Sequence, residues 1–245
     1  MGLKAGIVGL PNVGKSTLFN AITNSHVEAA NYPFATINPN TGIVLVPDTR
    51  LDDLCEIFHP KKKINATFEF YDIAGLVRGA SKGEGLGNQF LAHIRECDAI
   101  VEVVRCFDST EIIHVDNSVD PKRDIETINL ELVMADLDSV QKRIDKVANK
   151  ARVSKDKISM FEMDILTPLF NALQSGLPAR SVSLTSEQKQ YAKVNFGLLT
   201  LKPIIYVANV SDNDYANIEG CKYYQIVKEI AASENAEAIP VSCEI

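Results

Sequence analysis

Residues Gly9-Leu10-Pro11-Asn12-Val13-Gly14-Lys15-Ser16 form an uninterrupted G-x-x-x-x-G-K-S run directly after the apolar stretch Ala5 to Val8. At this spacing the glycines let successive amide N–H groups turn inward as an anion nest. The lysine reaches β- and γ-phosphates, and the serine hydroxyl suits Mg²⁺. Ala5 to Val8 reads as a buried strand. Leu18, Phe19 and Ile22 recur at helical spacing after Lys15, so a helix is expected to start at the loop and turn its N-terminal amides toward the phosphates. A plain glycine turn explains neither the Lys-Ser pair nor the strand-loop-helix setting. Asn12, Val13, Gly14, Lys15, Ser16 and Thr17 are therefore the expected nucleotide-binding residues of this loop, with Lys15 also catalytic.

Such a loop needs a metal-side carboxylate and a group that senses the γ-phosphate. Thr67 to Tyr71 alternates as a strand and ends in Asp72-Ile73-Ala74-Gly75, a D-x-x-G where that carboxylate belongs. Asp72 is expected to hold Mg²⁺ through water. Gly75 can bring its N–H to the γ-phosphate without a side chain in the way, which gives it a catalytic and sensing role. Between the motifs, Asn31 to Ile37 contains one aliphatic hydroxyl, Thr36, suited to complete the metal shell with Ser16. The order and spacing point to a switch nucleoside triphosphatase with two responsive loops.

The Tyr-Pro-Phe-Ala-Thr-Ile segment from Tyr32, together with the run from Asp72 to Ala80, resembles the Obg group of translation-factor-related triphosphatases. Ser81 to Phe90, Val104 to Phe107 and Ile112 to Val115 narrow the resemblance to the YchF or Obg-like ATPase family, over essentially the whole chain. That resemblance implies ribosome association, and a hydrophobic residue after D-x-x-G. Leu76 stands there, where many GTPases carry a water-orienting glutamine, and an isobutyl group cannot orient water. Slow intrinsic hydrolysis or a catalytic group from elsewhere is expected. His114, after the strand-like run Ala99 to Val104 and the polar loop Asp108 to Glu111, is the internal candidate for general base. Asn12 has two roles open to it: hydrogen bonding within the loop, or helping to bind K⁺ beside the phosphates.

Base choice rests on Asn209-Val210-Ser211-Asp212 after the strand-like run Pro203 to Ala208. GTPases usually present N-K-x-D there. Val210 replaces the lysine whose stem covers the base, which favours ATP, whereas Asp212 is the short carboxylate guanine recognition uses; the resembled family has Asn-x-x-Glu. Adenine is expected to lie against Val210 and near Asn209, with Ser242 and Cys243 of Val241-Ser242-Cys243-Glu244 donating backbone N–H to it.

The fold that must position these residues is expected to be α/β: a Ras-like P-loop domain, doubly wound and mostly parallel, with an inserted antiparallel helical coiled-coil arm. The expected division is 1–124 and 201–245 for the nucleotide domain and 125–200 for the arm. Leu130, Val133, Leu137, Val140, Ile144 and Val147 form one seam, Ile158, Phe161, Ile165, Leu169 and Leu173 the other, with Pro168 expected to kink or restart the second helix. The connection is basic. Lys142, Arg143, Lys146, Lys150, Arg152, Lys155 and Lys157 face only Asp145 and Asp156, a local balance of +5 in a chain of net charge -7. A solvated helix face would carry the same pattern; the resemblance favours a foot for RNA phosphates, bound with little sequence preference.

At 245 residues and 46% hydrophobic content the chain can bury a sizeable core. No apolar run is long enough to span a bilayer, and no signal-peptide pattern is present. Cys55, Cys97, Cys106, Cys221 and Cys243 lack C-x-x-C spacing and read as reduced cytosolic thiols. The expected partners are ATP and ADP with Mg²⁺, the large ribosomal subunit and its rRNA, with no membrane or DNA partner and a cytoplasmic location. A GTPase of the same architecture and a non-catalytic nucleotide-gated scaffold are the alternatives. Ile245 follows the base loop at once, so the sequence looks like a fragment, and the resembled family carries a further TGS domain beyond this point.

Overall fold

The computed structural model describes residues 2–24, 41–73, 86–109 and 118–243. Six strands form one sheet in the order β2-β3-β1-β4-β5-β6, with β1 at Leu3–Val8, β2 at Thr41–Leu45, β3 at Thr67–Asp72, β4 at Ala99–Cys106, β5 at Ile204–Val210 and β6 at Glu237–Val241. Only the β2–β3 pair is antiparallel. The central strands β1, β4 and β5 are almost wholly buried, as continuous apolar runs in a parallel sheet must be. The chain steps one way from β1 to β3 and then back past β1 to β4, so β1 is the point where strand order reverses. Open α/β sheets place their ligands beyond the carboxyl ends of strands at such a point.

Helix α1 (Lys15–Asn24) follows β1, α2 (Thr49–Phe58) joins β2 to β3, and α3 (Leu86–Glu96) precedes β4. Helix α4 (Pro121–Asn149) is 29 residues long. Asp120 caps it by accepting from Arg123 N at 3.1 Å, and Pro121 occupies the first turn, where its missing N–H costs nothing. The helix belongs to two cores. Ile125, Ile128, Leu132 and Ala135 pack into the sheet's core, while Val133 and Val140 face a second cluster with Ile165, Leu166, Leu169 and Leu173 of α5 (Lys157–Gln174). The expected break after Asp124 thus falls in the first turn of a helix whose first four turns serve the sheet.

The seam differs from expectation at both ends. Leu130 is 55% exposed because the sheet sets the rotation of the first half of α4, where Ile128 and Leu132 take the inward positions, and Ile158, in the first turn of α5 beside the tip, is 64% exposed. Helix α5 runs through Pro168 without interruption, with the surrounding helix-forming and buried residues carrying the turn that lacks one N–H. A third helix, α6 (Ser186–Asn195), broadens the arm. A reciprocal capping box of Thr185 and Gln188 starts it, and Tyr191 meets Phe161 edge-on at 5.4 Å and Phe196 at 5.9 Å. The remaining helices, α7 (Asp212–Ala216) and α8 (Lys222–Ser233), flank β5 and β6.

Asp136, 1% exposed on α4, ties the arm's return to the core. Its carboxylate accepts from Leu199 N at 2.9 Å, Thr200 N at 2.7 Å and Thr200 Oγ1 at 2.6 Å. Burial pushes its pKa up, against the pull of those donors. Asp136→Ala leaves three buried donors unpaired, so we expect a loss of about 3–5 kcal/mol and a fall in Tm on the order of 10 °C, read by calorimetry, with Asp136→Asn intermediate.

Candidate functional site

The residues singled out by sequence converge on the rim formed by the carboxyl ends of β1, β3, β5 and β6. Register brings them there: Ile7 pairs with Asp72, and Asn209 with both Arg105 and Val241. After β1 the chain turns through Gly9 to Gly14 and enters α1 at Lys15. Asn12 adopts φ 63°, a left-handed conformation asparagine tolerates. Gly14 sits at φ 98°, and a Cβ there would lie 2.4 Å from Asn209 Nδ2. That position demands glycine because the side chain of another strand's end occupies the space.

Lys15 is 8% exposed, and its ammonium donates to Leu10 O at 2.8 Å, closing the loop on itself. Burial pulls its pKa below the usual lysine value, with Asp72 pulling the other way. An ammonium so placed favours a polyanion, whose charge offsets the desolvation. Ser16 Oγ donates to Asp72 Oδ2 at 2.9 Å. A hydroxyl and a carboxylate side by side are hard oxygen donors of the kind Mg²⁺ takes, and phosphate oxygens and water would complete the shell of an ion held there. Val13 is buried and contributes backbone; Thr17 lies half-buried in the first turn of α1.

On the base side, Asn209 is buried with both ends of its amide engaged. Nδ2 donates to Val13 O at 3.0 Å, and Oδ1 accepts from Cys243 N at 3.1 Å. It joins the phosphate loop to the loop after β6, a clamping role that the sequence reading did not foresee. The Asn-x-x-Asp pattern could have signalled it, since an amide carries both a donor and an acceptor. Val210 is 1% exposed and belongs to the sheet's core, so it does not wall the base as expected; alternation along β5 turns it inward. Asp212 begins α7 and accepts from Ser242 Oγ, which draws the two base-side loops together. Half-buried Cys243 has its thiol pKa raised by burial. Thr36, Gly75, Leu76 and His114 lie outside the described residues.

Far from this rim, α4 and α5 are joined by the π-helical turn Lys150–Ser154 and a left-handed Lys155 at φ 47°. Lys146, Lys150, Arg152, Lys155 and Lys157 are exposed and make no ion pair among the described residues. Lys142 pairs with Asp138 at 2.6 Å. Arg143 instead grips Glu162 through two nitrogens, and Tyr191 Oη donates to the same carboxylate at 2.8 Å. Its guanidinium fastens α4 to α5 rather than pointing from the tip. The Arg143 partner holds the Glu162 carboxyl below the usual range.

Comparison with known proteins agrees with this geometry. Residues 4–150 match the family model described as 50S ribosome-binding GTPase. The chain is 57% identical over its whole length to the ribosome-binding ATPase YchF of Bacillus subtilis and 50% identical to that of Escherichia coli O157:H7, spanning 66% of the length of each. A solved structure described as the YchF GTPase of Schizosaccharomyces pombe superimposes with a TM-score of 0.82 at 41% identity, covering 99% of this chain and 66% of that one. No described helix is long and apolar enough to cross a membrane. The nest, the buried lysine and the Ser16–Asp72 pair thus belong to a P-loop fold of known kind, and the chain is a member of the 50S ribosome-binding GTPase family, similar throughout its length to the YchF proteins.

Proposed function

We propose that the chain is a Mg²⁺-dependent switch that hydrolyses ATP to ADP and phosphate slowly and reports its nucleotide state to the ribosome. The observation that carries this reading is the buried Lys15 ammonium in a loop that Asn209 fastens through Val13 O, with Ser16 and Asp72 beside it. Lys15 would exchange its bond to Leu10 O for β- and γ-phosphate oxygens and stabilise charge that grows as the terminal phosphoryl departs. Ser16 would ligate Mg²⁺ directly, Thr36 with it, and Asp72 through water. The ion supplies charge neutralisation on the phosphates when bound. Gly75 would sense the γ-phosphate, and His114 would orient water in place of the glutamine that Leu76 displaces. K⁺ beside Asn12 is a further part of this reading.

The bacterial relatives are named ATPases and the fission-yeast structure a GTPase, so base choice is the finer question. Val210 brings no lysine stem to cover a base, and the amide of Asn209 is spent on the two loops. Asp212 Oδ1 accepts from Ser242 Oγ, and its carboxylate keeps acceptor capacity that a guanine could use. The missing lysine and the engaged Asn209 amide favour adenine held by backbone groups near Ser242; the Cys243 N–H, expected to reach the base, is already given to Asn209 Oδ1. The exposed cations of the arm's tip favour contact with rRNA of the large subunit, which binds through phosphates.

Titration of the full chain with ADP and GDP tests the reading: ADP is expected to bind at least about tenfold tighter, a difference of about 1.4 kcal/mol, and the reverse order would make the protein a GTPase. Lys15→Ala should abolish turnover with the fold intact by circular dichroism; surviving turnover would reject the mechanism.

Asn209→Ala removes both ends of the clamp, with an expected loss of roughly 2 kcal/mol in nucleotide affinity read by calorimetric titration. Lys150→Glu with Arg152→Glu should abolish salt-sensitive co-sedimentation with ribosomes while leaving ATP hydrolysis in the absence of ribosomes unchanged. Arg143→Ala should instead lower Tm, because its role is within the arm.

A further inference from the structure

A cavity of about 710 Å³ opens at the opposite pole of the sheet, under the amino ends of β4 and β5. Its walls come from the end of α3, the turn between α8 and β6, helix α6 and the segment 197–204 that returns from the arm. Eight residues of β4 separate it from the nucleotide rim, roughly 26 Å at the rise of a strand. The volume lies within the range of small-molecule sites.

The charge of the lining is unbalanced in one direction. Arg180 and Glu234 pair at 2.5 Å and cancel. That leaves Arg95, Lys189, Lys193 and Lys202 facing Glu96 and Asp98, and Asp98 already accepts from Lys4 N at 3.0 Å. Neither Arg95, Lys189 nor Lys193 makes an ion pair among the described residues. Lys202 Nζ donates to the carbonyls of Arg95, at 3.1 Å, and Cys97, which leaves one of its three N–H groups without a protein acceptor. Burial pulls the Lys202 pKa down, and an anion beside a buried ammonium offsets such desolvation.

Arg180, on the same wall, is committed to the protein: its Nη2 serves Glu234 and its Nη1 lies 3.4 Å from Thr200 O. Beside these cations the lining is apolar at Leu198, Leu201 and Ile204.

We propose that this cavity is a second ligand site, taking a small phosphorylated molecule whose phosphates are held by Lys189, Lys193, Lys202 and Arg95 and whose body rests on Leu198, Leu201 and Ile204. Because Lys189 and Lys193 belong to the arm while Arg95 belongs to the sheet domain, the ligand braces one against the other. The Asp136 link to Leu199 and Thr200 lies directly behind the same segment.

The test uses the full chain with saturating ADP holding the phosphate loop, titrated calorimetrically with fructose 1,6-bisphosphate, with inorganic phosphate and with a ten-nucleotide single-stranded RNA in separate arms. A saturable site for fructose 1,6-bisphosphate, weakened at least about tenfold by Lys189→Glu with Lys193→Glu while ADP affinity stays unchanged, is the expected result. Both lysines are exposed, so the double variant is expected to fold, which its Tm will verify. Equal affinity for inorganic phosphate would still place the anion site here and remove the organic body from the proposal. No saturable binding of either phosphate probe, or binding indifferent to the double variant, would overturn it. Binding of the RNA alone would overturn it in favour of a nucleic-acid surface.

Discussion

One buried amide holds the nucleotide rim together. Asn209 reaches from the end of β5 to the carbonyl of Val13 on one side and the amide of Cys243 on the other. Without it the phosphate loop and the base loop would be neighbours only through the sheet. Gly14 is glycine because this amide occupies the volume a Cβ would need. The phosphate loop is therefore fastened at Val13 by a residue 196 positions away in sequence. In this arrangement both ends of the Asn209 amide are committed to positioning the two loops.

Helix α4 is the second organising element. A crossover helix in a parallel sheet needs one apolar face, and the first half of α4 supplies it through Ile125, Ile128 and Leu132. Its continuation leaves the sheet and acquires a different partner, α5, through Val133 and Val140. A rigid rod of 29 residues, about 43 Å at 1.5 Å per residue, thus belongs to the nucleotide core at one end and to a basic turn at the other. Asp136 stands near the changeover and receives the returning chain, so the arm is fastened at its root by hydrogen bonds as well as by packing. The arm's further fastening, Arg143 with Glu162 and Tyr191, consumes a cation that composition alone would count among those offered to RNA.

The family relation carries the fold further than it carries the chemistry. The similarity covers all of this chain, and the chain spans 66% of the length of the bacterial relatives. Geometry adds what the names alone do not: Val210 is packed in the sheet's core, and Lys15 is a buried ammonium near the Ser16–Asp72 pair. Below the sheet, the cavity lined by Lys189, Lys193 and Lys202 shows that the same framework offers a second concave, positively charged surface at the pole opposite the nucleotide.

Local motifs were legible in the sequence because their chemistry is local. The phosphate loop, the start of α1 and the strand ending at Asp72 follow from glycine placement, strand alternation and helical spacing within a few residues, and the Ser16–Asp72 meeting follows from the parallel pairing of β1 with β3. The apolar runs likewise declared a parallel sheet and a helical hairpin. What the sequence left undecided was every question of which way a side chain faces once two elements meet. Leu130 fits a heptad yet lies outward, because the sheet fixes the rotation of α4; Val210 follows Asn209 yet turns into the core, because successive residues of a strand face opposite sides. The uses of Arg143, Asp136 and Asn209 depend on partners 19, 63 and 196 positions away. Such pairings are set by packing, and periodicity holds no record of them.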